Sequence, residues 1–289
     1  MMRVFLLFIS FFGFFLSAAE IKATQVVRYN ISLNFTDNKQ SYYIDLLDLA
    51  MKNTVDEYGP YRLEAVVVEM PLGRTAIMVE KQDVIDITWQ MTSRQLEQKL
   101  GTVYWPLLKG MMGHRIFIIN KGDQPKFPAD MSEEQLKELV AGQGNDWPDA
   151  KIMEHNGYRV TTSPAMAILN MLEKRRLDYF PRAIHEPWTE IAQRNAFRVE
   201  QHILLKYPAP MFFFVKKENT ELQQRLSLGL ERAYQNGDID RLFATHPITS
   251  EIMERAQLEK RQVFELENPL LSENANAAMA RIGYYGANQ

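Results

Sequence analysis

Residues 61–70, Tyr-Arg-Leu-Glu-Ala-Val-Val-Val-Glu-Met, are the strongest indication of the fold class. Their apolar, β-branched centre predicts a strand, and the run Ala65–Val68 predicts that it is buried. A helical pattern precedes it, beginning at Ser41 and ending near Gly59, and a shorter one follows from Gly73 to about Lys81.

Two further strand patterns flank this unit, at residues 25–33 and 84–89. The order is therefore strand, helix, strand, helix, strand. Because parallel strands need a crossover between them, usually a helix, this order predicts a parallel sheet with right-handed connections.

The same alternation restarts further along the chain. Arg115–Asn120 and Leu177–Phe180 have strand patterns, and Ser132 with Gln135 matches a capping box that opens a helix. A late strand pattern covers residues 262–266. The sequence therefore predicts a second α/β unit.

We predict an α/β fold of two lobes, with the second lobe inserted into the first. Residues 20–114 and 212–289 are assigned to lobe 1, and residues 115–211 to lobe 2. The predicted hinge segments lie near 115–120 and 209–216, an arrangement that suits closure around a ligand. Residues after Asn268 follow no clear pattern, and one interpretation is that they wrap the first lobe.

The N-terminal residues are typical of a cleaved signal peptide. Arg3 precedes the apolar run Val4–Leu16, and Ser17-Ala18-Ala19 places small residues before Glu20. The run is too short to span a bilayer. We therefore predict that residues 1–19 are removed and that the mature chain is periplasmic, without a lipid anchor because no cysteine stands at the cleavage site.

Composition excludes several classes of function. The 33 basic and 36 acidic residues give a net charge of -3, which argues against a nucleic-acid partner. Neither a short metal-binding spacing of histidines nor a nucleotide-binding or hydrolase motif is present, so we assign no metal, no cofactor and no catalytic residue. His185 beside Glu186 is the one pair suited to acid–base chemistry.

Three strings resemble bacterial extracellular solute-binding proteins. They are residues 41–50, the string Gly142-Gln-Gly-Asn-Asp-Trp-Pro-Asp149, and Asp178-Tyr-Phe-Pro-Arg182 followed by Glu186. The similarity is to the branch that contains the polar amino-acid binding proteins of ABC importers, with the type II periplasmic binding fold. It runs from about Val26 to Phe243 and implies a protein that captures a small solute, usually without chemistry.

The resemblance places ligand contacts of the first lobe at Tyr29 and at Trp89, Thr92 and Ser93. Ligands of open parallel sheets bind beyond the carboxyl ends of the strands, which agrees with these positions. Two alternatives stay open: Trp89 is part of the core, and Thr92 and Ser93 cap the following helix.

One departure from the family pattern concerns the ligand's α-carboxylate. Amino-acid binders usually carry an arginine four or five residues after such a threonine, but Leu96 and Glu97 stand here. Either Arg94 takes over this contact from a shifted position, or the ligand is not a simple α-amino acid.

In the second lobe, Gln143, Asp146 and Trp147 are candidate ligand contacts in a loop before a helix. Asp146 as the helix N-cap is the alternative. Arg182 follows a predicted strand and is expected at the cleft edge, as a ligand clamp or as the partner of Glu186 in an internal ion pair.

The sequence thus predicts a monomeric solute-binding protein whose lobes close on a small polar ligand. Its expected partner is the permease of an ABC importer, with a membrane sensor as the alternative. A periplasmic enzyme on the same fold is a third interpretation.

Overall fold

The computed structural model describes residues 22–32 and 40–282, so the predicted signal peptide lies outside the described residues. The strands are β1 Gln25–Ile31, β2 Tyr61–Val67, β3 Ile87–Met91, β4 Leu100–Val103, β5 His114–Asn120, β6 Val140–Gly144, β7 Arg159–Ser163, β8 Phe180–Ala183, β9 Phe197–Val199, β10 Ile203–Lys206, β11 Met211–Lys216 and β12 Gln262–Glu265. The α-helices are α1 Ser41–Lys52, α2 Val55–Tyr58, α3 Leu72–Lys81, α4 Arg94–Lys99, α5 Glu133–Glu138, α6 Pro148–His155, α7 Ala165–Glu173, α8 Pro187–Ile191, α9 Thr220–Gln235, α10 Asp238–Thr245, α11 Ile252–Ala256 and α12 Glu273–Ile282. Short 3-10 helices cover Met111–Gly113, Lys121–Lys126 and Leu258–Lys260.

The first sheet has the strand order β2-β1-β3-β11-β4. β1 is parallel to both β2 and β3, which confirms the predicted parallel unit, whereas β11 is antiparallel to β3 and β4. β11 comes more than 100 residues after β4, so the chain leaves this sheet and returns to its middle.

The second sheet has the order β12-β10-β5-β8, with β9 also paired to β5. β6 and β7 form a parallel pair, which joins the strand region before β8 through a bridge between Ala141 and Tyr179. All seven residues of β5 are buried, as expected for a strand with neighbours on both edges. We call each sheet with the helices packed on it a lobe.

Residues 104–113 and 207–210 link the two sheets. The first link lies before the predicted 115–120, because those residues already belong to β5, and the second overlaps the predicted 209–216.

The lobe assignment of the C-terminal residues needs one correction. β12 pairs in parallel with β10 and therefore belongs to the second sheet, although the sequence analysis placed all residues after 212 in the first lobe. The chain then returns, because Leu271, Ala275 and Ala278 share a buried cluster with Phe212 and Phe214 of the first sheet. The C-terminal segment thus crosses between lobes twice more, and its last helix packs on the first lobe.

Two local predictions on strands were wrong for a physical reason. β2 is an edge strand, so Val67 and Val68 are 53% and 39% exposed rather than buried. The strand expected at 177–180 lies instead at β8, and Arg182 is therefore inside a strand, paired with Ile116, rather than beyond its end. The capping box at Ser132 and Gln135 is confirmed in both directions.

The tightest helix packing holds α9 against α1. A Cβ added to Gly229 would lie 1.9 Å from the carbonyl oxygen of Ala50, so only glycine allows this approach. Buried Arg225 on α9 donates to the carbonyls of Met51 and Gly59 and to the Thr54 hydroxyl. These contacts fix the helical layer behind the first sheet.

Candidate functional site

Two tyrosines of the first lobe pack against Trp89. The ring of Trp89 lies 5.8 Å from that of Tyr43 at an interplanar angle of 27°, and 6.1 Å from that of Tyr29. Tyr29 and Tyr43 are buried, and half-buried Trp89 packs against the core cluster of this lobe. The alternative that Trp89 contributes to the core therefore holds, while part of its indole stays accessible.

The hydroxyls after β3 bond within the loop. Thr92 is fully buried and donates to Glu97 Oε1 at 2.6 Å. Ser93 caps α4, because its Oγ accepts the backbone N–H of Leu96 at 3.2 Å. The alternative that Ser93 caps the following helix is thus confirmed. Thr92 bonds to Glu97 of the same helix.

Arg94 holds the C-terminal segment. Its guanidinium donates to the carbonyls of Leu271, at 2.6 Å from Nη1, and of Pro269, while its backbone N–H donates to Leu270 at 2.9 Å. Glu97 belongs to the same contact, because its Oε2 accepts the Ser272 hydroxyl at 2.6 Å. Both residues that stand near the family's arginine position are therefore engaged with this segment.

The string at 142–149 spans the end of β6 and the start of α6. Gln143 is buried in β6 rather than in a loop, and its Oε1 has no hydrogen-bond partner within the described part of the chain. Trp147, not Asp146, is the N-cap of α6, and Pro148 occupies the first turn. A Cβ on Gly144 would lie 2.5 Å from the Trp147 indole, so the absence of a side chain at this position leaves room for the ring.

Asp146 bridges the two lobes. Its Oδ2 accepts the backbone N–H of Gly73, at the start of α3 in the first lobe, at 3.2 Å. The N-cap alternative for Asp146 is wrong, because its carboxylate points across to that helix.

Arg182 is buried between carboxylates and aromatic rings. Its Nη2 lies 2.7 Å from Glu186 Oε1 and 2.6 Å from Glu190 Oε1, and its guanidinium lies 4.6 Å from the centre of the Trp147 ring. Burial alone would lower the pKa of Arg182, but the charges of Glu186 and Glu190 outweigh it and raise the pKa. The ion pair with Glu186 that the sequence suggested is therefore present, with Glu190 as a second partner.

Arg115 lies at the start of β5 and is 1% exposed. Its Nη2 is 2.7 Å from Asp149 Oδ1 and its Nη1 is 3.8 Å from Glu186 Oε2. The Asp149 contact is an ion pair without hydrogen-bond alignment, since Nε and Nη2 have no hydrogen-bond partner among the described residues. Burial lowers the pKa of Arg115, but the negative charge of Asp149, together with Tyr207 and Glu186, outweighs burial and raises the pKa. The Tyr207 hydroxyl also donates to Asp149.

Tyr43 lies on α1 of the first lobe, and the charges of this group act on its hydroxyl. It is buried and has no hydrogen-bond partner in the described ranges. Burial raises its pKa well above the ordinary value; the charge of Glu186 raises it further, and those of Arg115 and Arg182 oppose this. We call the set of Tyr43, Arg115, Asp149, Arg182, Glu186 and Glu190 the junction cluster, because it lies where the two lobes meet.

Four members of the junction cluster were not predicted from the sequence: Tyr43, Arg115, Asp149 and Glu190. Two signals were available. Arg115 is a charged residue that opens an otherwise apolar strand, and Glu190 follows Arg182 and Glu186 at a spacing of four. The position of Tyr43 gave no such signal, because a tyrosine on the apolar face of a helix is ordinarily core.

Charged residues also line a groove on the helical side of the first lobe. A groove of about 530 Å³ between α1 and α10 is lined by Asp45, Asp48, Asp238 and Arg241, among others. Across the described residues, no three histidine or acidic side chains are grouped so as to hold a metal ion. Nor does any helix in these ranges have the length and apolar character needed to cross a membrane.

The fold is similar to solved periplasmic binding proteins. An arginine-specific one from Salmonella typhimurium covers 80% of this chain and 99% of its own, with a TM-score of 0.53 and 11% identity. A putative ABC-transporter binding component from Wolinella succinogenes, complexed with lysine, covers 76% and 94%, with a TM-score of 0.53 and 15% identity. A histidine kinase sensor domain similar to periplasmic binding proteins covers 78% and 96%, with a TM-score of 0.55 and 14% identity.

The sequence matches no model of a known protein family, and no curated protein matches it either. The likeness therefore concerns the fold, and it confirms the predicted two-lobed α/β architecture of the type II periplasmic binding proteins.

Proposed function

We propose that this protein is a periplasmic solute-binding protein that captures a small polar solute, amino-acid-like or related, between its two lobes. The observation that carries the proposal is the junction cluster. One helix of the first lobe supplies Tyr43, the first strand after the link supplies Arg115, and β8 of the second lobe supplies Arg182. Buried polar groups that converge from both halves of a two-lobed fold suit ligand binding with closure.

The proposed ligand contacts are the accessible part of Trp89, with Tyr29 behind it, and Gln143, Trp147, Arg182 and Glu186 in the second lobe. Gln143 supports this assignment with its unpartnered Oε1. Thr92, Ser93, Arg94 and Asp146 bond within the protein, and we assign them to shaping the cleft.

A thermal-shift screen of the exported protein tests the proposal. The panel is amino acids, small peptides, polyamines and organic acids. A solute that binds the folded state raises the melting temperature by mass action, by an amount that grows with its concentration. Recovery of the bound solute unchanged, by mass spectrometry, separates a binding protein from an enzyme. A panel without any shift would contradict the proposal.

Export is part of the proposal and has its own test. We expect the mature chain to begin at Glu20, because the small residues before it suit signal peptidase. N-terminal sequencing of the protein from a periplasmic extract checks this, and a mature chain that keeps Arg3 would contradict it.

An ABC permease is the partner we propose for the closed protein, and a membrane sensor is the second candidate. The similarity in fold to a histidine kinase sensor domain supports the membrane sensor as this second candidate. Uptake of the identified solute by cells that lack this protein distinguishes the two. Uptake falls if the protein serves a permease, and stays unchanged, with a lost transcriptional response, if it serves a sensor.

A further inference from the structure

We propose that the open edge of β2 pairs in antiparallel fashion with β2 of a second copy of this chain. The sheets of the two first lobes then join into one continuous sheet across a two-fold axis. This inference goes beyond the proposed function and does not depend on it, because the ligand contacts proposed above do not include β2.

The first argument is that β2 has a neighbouring strand on one side only. It is the last strand in the order of the first sheet and pairs with β1 along its whole length. At the opposite edge of this sheet every residue of β4 is buried, whereas Arg62, Ala65 and Val67 of β2 are exposed. An exposed edge strand presents unpaired N–H and C=O groups with which another strand can pair.

The second argument is which backbone groups face that edge. The carbonyl of Pro60 and the N–H of Val68, on either side of β2, both bond to β1. Even-numbered residues of the strand therefore face β1. Because the direction alternates along a strand, Tyr61, Leu63 and Ala65 direct their N–H and C=O groups to the open edge. Among the described residues, no hydrogen bond joins these edge groups to another segment.

The third argument is that the charges of β2 are complementary to themselves. Arg62 and Glu64 form an exposed ion pair, 2.5 Å apart, on one face of the strand. Antiparallel pairing centred on Leu63 sets Arg62 of each copy opposite Glu64 of the other, in a non-hydrogen-bonded pair, where side chains approach most closely. Centring on Glu64 would instead set two glutamates opposite each other, and centring on Ala65 would lose these charge contacts. The charges therefore select one register.

The fourth argument concerns the apolar face of the strand. Tyr61 and Leu63 pack against the core of the first lobe, and Ala65 and Val67 share their face because side chains alternate along a strand. In the register centred on Leu63, Tyr61 lies opposite Ala65 of the second copy and diagonal to its Val67. The pairing thus covers exposed apolar surface on one face and joins opposite charges on the other.

Sedimentation velocity of the mature protein is the first test. One short pair of strands lies at the small end of specific interfaces, so we expect a dissociation constant of about 1–100 µM. The monomer predicted from the sequence is then the main species below this range, and the dimer above it. A protein that stays monomeric throughout, or forms species larger than a dimer, overturns the inference, because a two-fold pairing closes on itself.

Charge exchange tests the register. Glu64→Arg sets like charges opposite each other and should raise the dissociation constant by about tenfold or more. The double variant Arg62→Glu with Glu64→Arg restores opposite charges across the axis, and should return to within about threefold of the wild type. Glu138→Arg is the matched control: it breaks the exposed ion pair with Arg159 and changes the net charge equally, away from β2. It should leave the dissociation constant unchanged.

Amide hydrogen exchange, measured by NMR below and above the dissociation constant, tests the pairing itself. The N–H groups of Tyr61, Leu63 and Ala65 should exchange more slowly in the dimer, while those of Arg62 and Glu64, which face β1, should change less. A dimer without this alternation, or one that the double charge exchange does not restore, forms through another surface or register and overturns the inference.

Discussion

The loop after β3 and the junction cluster contain similar residues but use them in opposite ways. In the loop, Arg94 and Glu97 bond to the C-terminal segment, and Thr92 bonds to Glu97. In the junction cluster, Arg182 and Arg115 are paired with carboxylates, yet Arg115 Nε and the Tyr43 hydroxyl are buried without a hydrogen-bond partner among the described residues. The type of a side chain therefore does not decide whether it is available to a ligand; the partners that the fold brings to it do.

Replacement of Arg182 should destabilise the protein more than any other change considered below, because it disrupts the junction cluster. Arg182→Ala leaves Glu186 and Glu190 buried without their cation, and we expect the free energy of unfolding to fall by about 3–5 kcal/mol. Urea denaturation measures this. Arg182→Met combined with Glu186→Gln and Glu190→Gln removes all three charges and should recover part of the loss.

The exposed pair of Arg62 and Glu64 is the control for that prediction. Arg62→Ala should cost less than about 1 kcal/mol, because solvent screens this pair. A similar cost for Arg62→Ala and Arg182→Ala would show that burial of the junction cluster does not matter for stability.

The second effect concerns pH and His114, which precedes Arg115 in β5. Burial, together with the charges of Lys206 and Arg115, lowers the pKa of His114 from 6.5 to about 4. The unfolded chain therefore takes up this proton at higher pH than the folded chain does. The contribution of His114 is complete above pH 6.5 and is lost as the pH falls towards 4, by about 2 kcal/mol between pH 7 and pH 5.

Urea midpoints at pH 7 and pH 5 measure this loss, and His114→Gln should remove most of it. A smaller loss of stability at low pH should remain in this variant, because burial also lowers the pKa of His246. If His114→Gln loses as much stability between pH 7 and pH 5 as the wild type does, groups other than His114 cause the loss.

The third effect tests the role of Arg94 in the loop. Arg94→Ala removes two charged hydrogen bonds to the C-terminal segment, and we expect the local stability of residues 266–282 to fall by about 1–2 kcal/mol. Hydrogen–deuterium exchange of those residues should become faster, while affinity for the solute stays unchanged. If Arg94→Ala loses affinity for the solute while hydrogen–deuterium exchange stays unchanged, Arg94 contacts the ligand, which was one of the two alternatives from the sequence.

The smallest effect concerns Thr92. Thr92→Val keeps the shape of this fully buried side chain but removes the bond to Glu97, and should cost about 1 kcal/mol in thermal or urea unfolding. Ser272→Ala, which removes another donor to Glu97, is the matched control. Weaker solute binding in Thr92→Val but not in Ser272→Ala would identify Thr92 as a ligand contact.

The sequence predicted the elements better than the site. The parallel unit of β1, β2 and β3, the capping box at Ser132 and the restart of the α/β pattern were all visible, because each depends on residues close together in the chain. The sequence did not show that β2 lies at the edge of its sheet, since an edge strand and a central strand can have similar apolar runs. The sequence named Arg182 and Glu186 as candidate site residues but did not indicate Arg115 and Glu190, which pair with them.

The order of strands and helices, the two α/β lobes and the balance of charge can be read from the sequence, because periodicity and local capping record which face of each element is buried. Which charges are already paired becomes apparent only in the folded chain. Arg94 meets its carbonyl acceptors 175 and 177 residues away, and Asp146 accepts from Gly73 across the two lobes. Such partners are chosen by how the elements pack, and local periodicity carries no record of that choice.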